Sequence, residues 1–278
     1  MTIDLSAQWR AGLAELRYAS TPKRLLATLD GEPALDTTDA LLVWEPRRVV
    51  PHYAVPARDL RIGLEELASA PPPPDLPPVM GPQHFSLHTC AGTALAPTSG
   101  ACAGVEVGFR PDDPALGGRI ILDFARFEWT EENEPVMGHA HDPFKRIDVL
   151  RSDRHVVVRL GDTVLADSRR AHALYETSLP VRWYLPREDV RMDLLTPSQT
   201  HSVCAYKGRA SYLSAELEGG ADIGWFYPDP LHDALRVRDL VAFWSERTDL
   251  TVDGVRVKGR MPGAAAGGPQ DRAAGGAP

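Results

Sequence analysis

One stretch occurs twice in this chain, and that repetition limits what it can fold into more than any other feature. Leu29-Asp30-Gly31-Glu32-Pro33-Ala34-Leu35-Asp36-Thr37 returns 131 positions later as Leu160-Gly161-Asp162-Thr163-Val164-Leu165-Ala166-Asp167-Ser168. Ala40 and Glu45 then match Ala171 and Glu176, and Tyr53 is read against Tyr184. After one deleted residue, Pro56, Asp59 and Arg61 answer Pro186, Asp189 and Arg191. A repeat of this period implies two copies of one domain and not a solenoid. The 278 residues suit two domains, each large enough for its own core. One copy can also be read against the other: positions both keep point to fold, and positions only one keeps are candidates for function.

Charge is divided unevenly between the copies. Residues 1–143 carry 11 Lys and Arg against 20 Asp and Glu, whereas residues 144–258 carry 17 of each. Neither copy has the basic excess that phosphate-backbone binding requires, which argues against a nucleic-acid partner. No apolar run approaches the roughly 18 residues of a membrane helix. Met1 to Arg10 lacks the basic-then-apolar order of a signal peptide, and Cys90, Cys102 and Cys204 are too scattered for a disulfide framework. These features lead to the expectation of a cytoplasmic protein with no membrane partner.

Turn chemistry sets the fold class. Asp30-Gly31, Gly161-Asp162 and Asp253-Gly254 each separate two short apolar runs, the signature of tight hairpins. Ser6, Trp9, Leu13, Leu16 and Tyr18 read as an N-capped amphipathic helix ending near Ser20. Weaker helical patterns run from Arg119 to Trp129 and from Leu235 to Trp244. Pro71 to Pro74, with Pro77 and Pro78, read as a stiff connector, and the Gly-, Ala- and Pro-rich end cannot form a core. The expectation is mainly β: an N-terminal helix over 1–20, antiparallel β domains over 21–143 and 144–258, and a disordered tail over 259–278.

Both copies keep an acid and a base two residues apart, Asp59 with Arg61 and Asp189 with Arg191. On a strand this spacing puts them on one face, where they could pair or hold backbone groups. Glu45 and Glu176 each follow an apolar strand, so each could be a buried carboxylate whose pKa is raised by burial and suited to acid–base work. The copies diverge afterwards. Tyr206 and Lys207 stand opposite Cys90 and Ala91, Tyr212 opposite Ala96, and Trp225-Phe226-Tyr227-Pro228-Asp229 opposite Gly108-Phe109-Arg110-Pro111-Asp112. The second copy alone thus concentrates Tyr, Trp and Lys. Such a set could wall a pocket for a flat or cationic group, with Lys207 meeting an anion or acting as a nucleophile. The alternative is that these are ordinary core residues of a β domain.

Metal signals are weak. His88, Cys90 and Cys102, and separately His139 with His141, have suitable ligand chemistry, but there is no Cys-x-x-Cys pair, and no metal or other cofactor is expected. The chain also lacks a Walker A loop, a dinucleotide-binding fingerprint and a nucleophile elbow.

The run Val156 to Asp167, Tyr175-Glu176-Thr177 and Trp183 to Leu195, continued by Cys204-Ala205-Tyr206-Lys207-Gly208-Arg209-Ala210-Ser211-Tyr212 and Tyr227-Pro228-Asp229-Pro230, resembles the domain of unknown function 427 family. The first copy looks like a diverged member without the Tyr-Lys-Gly segment. The resemblance implies a tent-like β domain, similar in topology to the ligand-caging domain of cereblon and to methionine sulfoxide reductase B. The paired Cys motifs through which those relatives hold zinc are absent here. Some labels of the family imply nucleotidyl transfer, for which the paired-aspartate pattern is missing.

The resulting expectation is a small-molecule pocket in the second copy that could also be catalytic. Glu176 would be its acid or base, Lys207 its anion contact or nucleophile, and Tyr184, Arg191, Tyr206, Tyr212, Trp225, Tyr227 and Asp229 its ligand contacts. A non-catalytic adaptor that binds a peptide or protein through the same aromatics is the alternative.

Overall fold

Asp30 and Gly31 both take positive φ, 53° and 82°, as a two-residue type I′ turn demands, and they close the hairpin of Leu25–Leu29 with Glu32–Thr37. Asp253 and Gly254, at 51° and 79°, do the same between Asp249–Val252 and Val255–Arg256. Gly161-Asp162 joins Val156–Leu160 to Thr163–Ser168, so all three expected hairpins are present. The structure is a computed structural model describing residues 2–68 and 75–257. The connector expected at Pro71 to Pro74 and the tail expected from Gly259 lie outside the described residues.

Among the described residues the chain is mainly β, with four antiparallel sheets in two groups. The first large sheet runs, edge to edge, through Arg17–Ser20, Leu41–Trp44, His52–Val55, Ile120–Leu122, Gly108–Pro111, Gly92–Pro97 and Leu64–Glu66. Its companion contains Glu134–Val136, Glu128–Glu131, Leu25–Leu29 and Glu32–Thr37. The second large sheet follows the same order through Ile147–Arg151, His172–Glu176, Arg182–Leu185, Val241–Phe243, Gly224–Phe226, Gly208–Ala215 and Leu195–Cys204. Its companion contains Thr163–Ser168, Val156–Leu160, Asp249–Val252 and Val255–Arg256.

Each half has an inner core between its two sheets and an outer core on the far face of the large sheet. In the first half, Leu42, Trp44, Tyr53, Val55 and Ile120 face inward with Leu25 and Ala27, while Val43, Ala54, Phe109 and Ile121 face outward with Phe85 and Leu116. In the second, Ala173, Trp183, Leu185 and Phe243 face inward, and Leu174, Tyr184, Trp225, Tyr227 and Ala242 outward. Strands buried on both faces read as unbroken apolar runs, which explains two mistaken helices. Leu235 to Trp244 is a 3-10 segment, His232–Val237, followed by the strand Val241–Phe243. Arg119 to Trp129 is likewise two strands around the 3-10 turn Phe124–Arg126.

The leading helix covers only Leu5–Gly12, with the Asp4 carboxylate capping Ala7 N–H, and Arg17–Ser20 already pairs with Leu41–Trp44 as the edge strand of the first sheet. Strand register also corrects the comparison of the halves. Leu41 lies opposite Ala54 where His172 lies opposite Tyr184, so Tyr184 stands in the place of Ala54, and Trp183 in that of Tyr53. The deletion therefore falls in the loop before Tyr53. A slip of one residue carries a ring to the opposite face, which is why Tyr53 joins the inner core and Tyr184 the outer. Leu95 pairs with Gly108 as Leu213 pairs with Gly224, which sets Tyr212 against Ala94 and Trp225 against Phe109.

Candidate functional site

Glu45 and Glu176 come at the end of equivalent strands, and each turns to the outer face of its large sheet. Glu45 is sealed in. Its carboxylate accepts from Arg48 Nε at 2.8 Å, from His88 Nδ1 at 3.2 Å and from Thr89 N–H at 3.0 Å, with the Cys90 thiol at 3.7 Å. Arg48 is fully buried and also donates to the carbonyls of Phe85 and Leu87. His88 stacks on Phe109 at 3.5 Å and reaches Glu106 with Nε2 at 2.5 Å. Burial alone would raise the Glu45 pKa, but His88, Arg48 and the Thr89 amide outweigh it and bring the carboxyl down to about 2. The elevated acid–base carboxyl expected at this position is therefore absent: Glu45 is a fixed anion.

Glu176 is held differently. Leu179 stands where the first half has Arg48, and the carboxylate instead receives Lys207 Nζ at 2.5 Å and Lys145 Nζ at 3.7 Å. The side chains of Glu176, Lys207 and Lys145 are 8%, 12% and 18% exposed. Lys207 projects from the tip of the hairpin formed by Leu195–Cys204 and Gly208–Ala215. Burial opposes its charge, but Cys204, Glu176 and Tyr184 around it prevail, and its pKa lies above the ordinary lysine value. Lys207 is therefore an ammonium at neutral pH.

Aromatic residues form the floor beside this pair. Tyr184, Trp225 and Tyr227 share the outer core, Tyr212 packs against it, and Trp225 Nε1–H donates to the Tyr184 hydroxyl at 3.2 Å. Burial pushes the Tyr184 hydroxyl up to about 12 and that of Tyr227 further still, so both remain protonated. Trp225 continues into Trp244 at 4.6 Å, with the Arg182 guanidinium over both rings. Tyr206, on the same hairpin tip as Lys207, accepts from Asp142 N–H at 2.8 Å.

Two residues expected here are elsewhere. Arg191 forms a bidentate surface pair with Asp193 at 2.8 and 2.6 Å, and Asp229 is exposed and pairs with Arg238. Nor do the repeated Asp and Arg pair with each other. Asp59 and Asp189 sit in 3-10 turns, where each accepts a hydroxyl at 2.7 Å, from Thr37 and Ser168 respectively. That shared contact is a feature of the fold.

Sequence reasoning missed Lys145, and it set aside Cys204, which lies within electrostatic reach of Lys207, Tyr184, Tyr206 and Tyr227. The place of Cys204 three residues before Lys207 was the available signal. His88, Cys90 and Cys102 do not converge, because Cys90 packs on the outer core and Cys102 on the inner one. Two surface grooves, of about 580 and 460 Å³, are lined by Arg151, Arg170 and His172 and by Phe85, Glu106 and Asp123 respectively; neither includes Glu176 or Lys207.

The second half is thus a two-sheet antiparallel β domain with a carboxylate–ammonium cluster on the outer face of its larger sheet. Residues 148–254, a span coinciding with its sheets, match the model of a family described as a domain of unknown function (DUF427). No curated protein matches the chain. Among the described residues no helix is long and apolar enough to cross a membrane.

Proposed function

We propose that the second half binds a small anionic molecule at Lys207, with Glu176 and Lys145 as the supporting charges and Tyr206, Tyr184 and Tyr227 as neighbouring walls. The observation that carries this reading is the meeting of two ammonium groups on one carboxylate at a largely buried place. Ion pairs removed from water gain little net stability, because desolvation offsets their attraction. Lys145 also faces Asp142, whose carboxyl burial raises and Lys145 lowers, so a ligand anion would compete with Glu176 for Lys207 while Lys145 stays to hold Glu176. An ammonium cannot attack, so Lys207 serves as anion contact or proton donor, and Glu176 is the group able to accept a proton if the bound molecule is also turned over.

Nucleotidyl transfer gains nothing from this geometry, since a carboxylate between two ammoniums is the reverse of paired aspartates around a metal. The alternative, an adaptor that binds a peptide or protein through the same aromatics, draws on Tyr212, the half-buried member of that set. We further read the first half as a diverged copy of the second, on the strength of the shared strand order, and assign the protein with its three unpaired cysteines to the cytoplasm.

A thermal-shift screen of the wild type and Lys207→Ala against anionic metabolites tests the proposal. A ligand at 100 times its Kd adds about 2.7 kcal/mol. A stabilisation lost in Lys207→Ala supports the site, and one that survives the substitution sinks it.

A further inference from the structure

The hairpin tip bearing Tyr206 and Lys207 is not held by the second half alone. The connector between the halves docks on it: Asp142 N–H reaches the Tyr206 hydroxyl, and the His139 ring meets the Tyr206 ring edge-on at 5.6 Å. Gly138, at φ 80°, runs so close to the hairpin that a Cβ there would lie 3.2 Å from Ala205 N. His141 ties this contact to the first half, with Nδ1 2.8 Å from Glu131 Oε2 and Nε2 3.0 Å from the Ala205 carbonyl.

The chemistry of these partners dictates the proton count on His141. A carbonyl oxygen only accepts, so Nε2 must donate. Glu131 also takes Lys23 Nζ at 2.6 Å and the Tyr53 hydroxyl at 2.7 Å, which keep it a carboxylate, so Nδ1 must donate too. Only the imidazolium has both protons.

We propose that the first half completes the site of the second, the His141 imidazolium acting as a clasp between Glu131 and Ala205 that fixes the Tyr206–Lys207 tip. The inference rests on the reading of Lys207 as the binding group, and His141 is in it a positioning residue. The groups facing His141 are Glu131, Lys23 and Tyr53 from the first half, His139 and Asp142 on the connector, and Tyr206 on the hairpin. The Glu131 hydrogen bond raises the His141 pKa, burial and Lys23 oppose it, and the balance is upward. A group whose pKa is raised on folding gives its full contribution below the unfolded value, about 6.5, and loses it as pH rises through the folded value. The clasp therefore opens on the alkaline side.

The test is hydrogen exchange of the Cys204–Gly208 amides in the full chain from pH 6 to pH 9, corrected for intrinsic exchange rates, beside an NMR titration of the His141 ring. The expected result is a fall of tenfold or more in protection with the midpoint of the ring titration, while the amides of Leu25–Leu29 do not change. His141→Gln is expected to show low, pH-independent protection at the tip. Glu131→Gln lowers the midpoint, and it carries the test should His141→Gln fail to fold. Protection that stays flat in the wild type, or that His141→Gln retains, overturns the proposal. No ligand enters the measurement, so a failed ligand screen would count against the Lys207 reading alone, and a flat profile against the clasp alone.

Discussion

Glu45 and Glu176 occupy the same place in the two halves and keep opposite company. Glu45 is closed off by a guanidinium, an imidazole and a backbone amide, all fixed among buried residues, and both of its carboxylate oxygens already have partners. Glu176 is met by two long, flexible ammonium side chains, one of them on a hairpin tip. The same strand end thus becomes an internal strut in one half and a candidate binding site in the other. What separates them is the partner residues: Arg48 against Leu179, and Thr89 giving only its backbone N–H where, counted back along the paired strands, Lys207 gives its side chain.

The largest expected effect would break this contrast at its rigid end. Glu45→Gln leaves Arg48 charged and buried without its counter-ion and should cost about 3–5 kcal/mol in chemical denaturation. A cost under about 1 kcal/mol would mean that the strut is not one.

With Glu131, also lowered to about 2, the same carboxylate shapes the acid limb. Its pKa falls from 4.5 to about 2 on folding, so it stabilises above pH 4.5, and about 3 kcal/mol should disappear as pH drops toward 2. Unfolding curves of Glu45→Gln should lack that part of the slope. His88 works in the other sense: its raised pKa favours folding below about 6.5 and loses that contribution as pH climbs.

At the flexible end, Lys207→Met should cost about 2 kcal/mol, since Lys145 remains to neutralise Glu176. Its larger signature is the loss of anion-induced thermal stabilisation. If Lys207→Met proved as damaging as Glu45→Gln, the second pair would be a strut as well.

Trp225→Phe removes the hydrogen bond to the Tyr184 hydroxyl and should cost about 1 kcal/mol by thermal melting, with near-ultraviolet circular dichroism reporting on the outer core. The smallest effect is expected from Arg191→Ala, which should leave both melting temperature and anion response unchanged, because its bidentate partner Asp193 lies on the surface. A lost anion response there would restore Arg191 to the site.

Much of this molecule was legible in its residues. Asp-Gly pairs between apolar runs announced the hairpins, because few other sequences accept two consecutive positive φ angles. The repeat agrees with the two groups of sheets, and the concentration of Tyr, Trp and Lys in the second half drew attention to the outer face of its large sheet. Less legible was the register in the loops: a deletion shifted by a few positions leaves the alignment nearly as good yet moves Tyr184 from one core to the other. The apolar run around Val241 resembled a helix because a strand buried on both faces loses its alternation.

The sequence by itself determined the architecture, since turn chemistry and apolar patterning act between near neighbours. Only the tertiary structure decided the fates of Glu45 and Glu176, the recruitment of Lys145 and the union of Glu131, His141 and Ala205. The charge state of a buried group depends on the groups folding brings against it, and deciding ones, His88 for Glu45 and Lys207 for Glu176, come from loops tens of residues away along the chain.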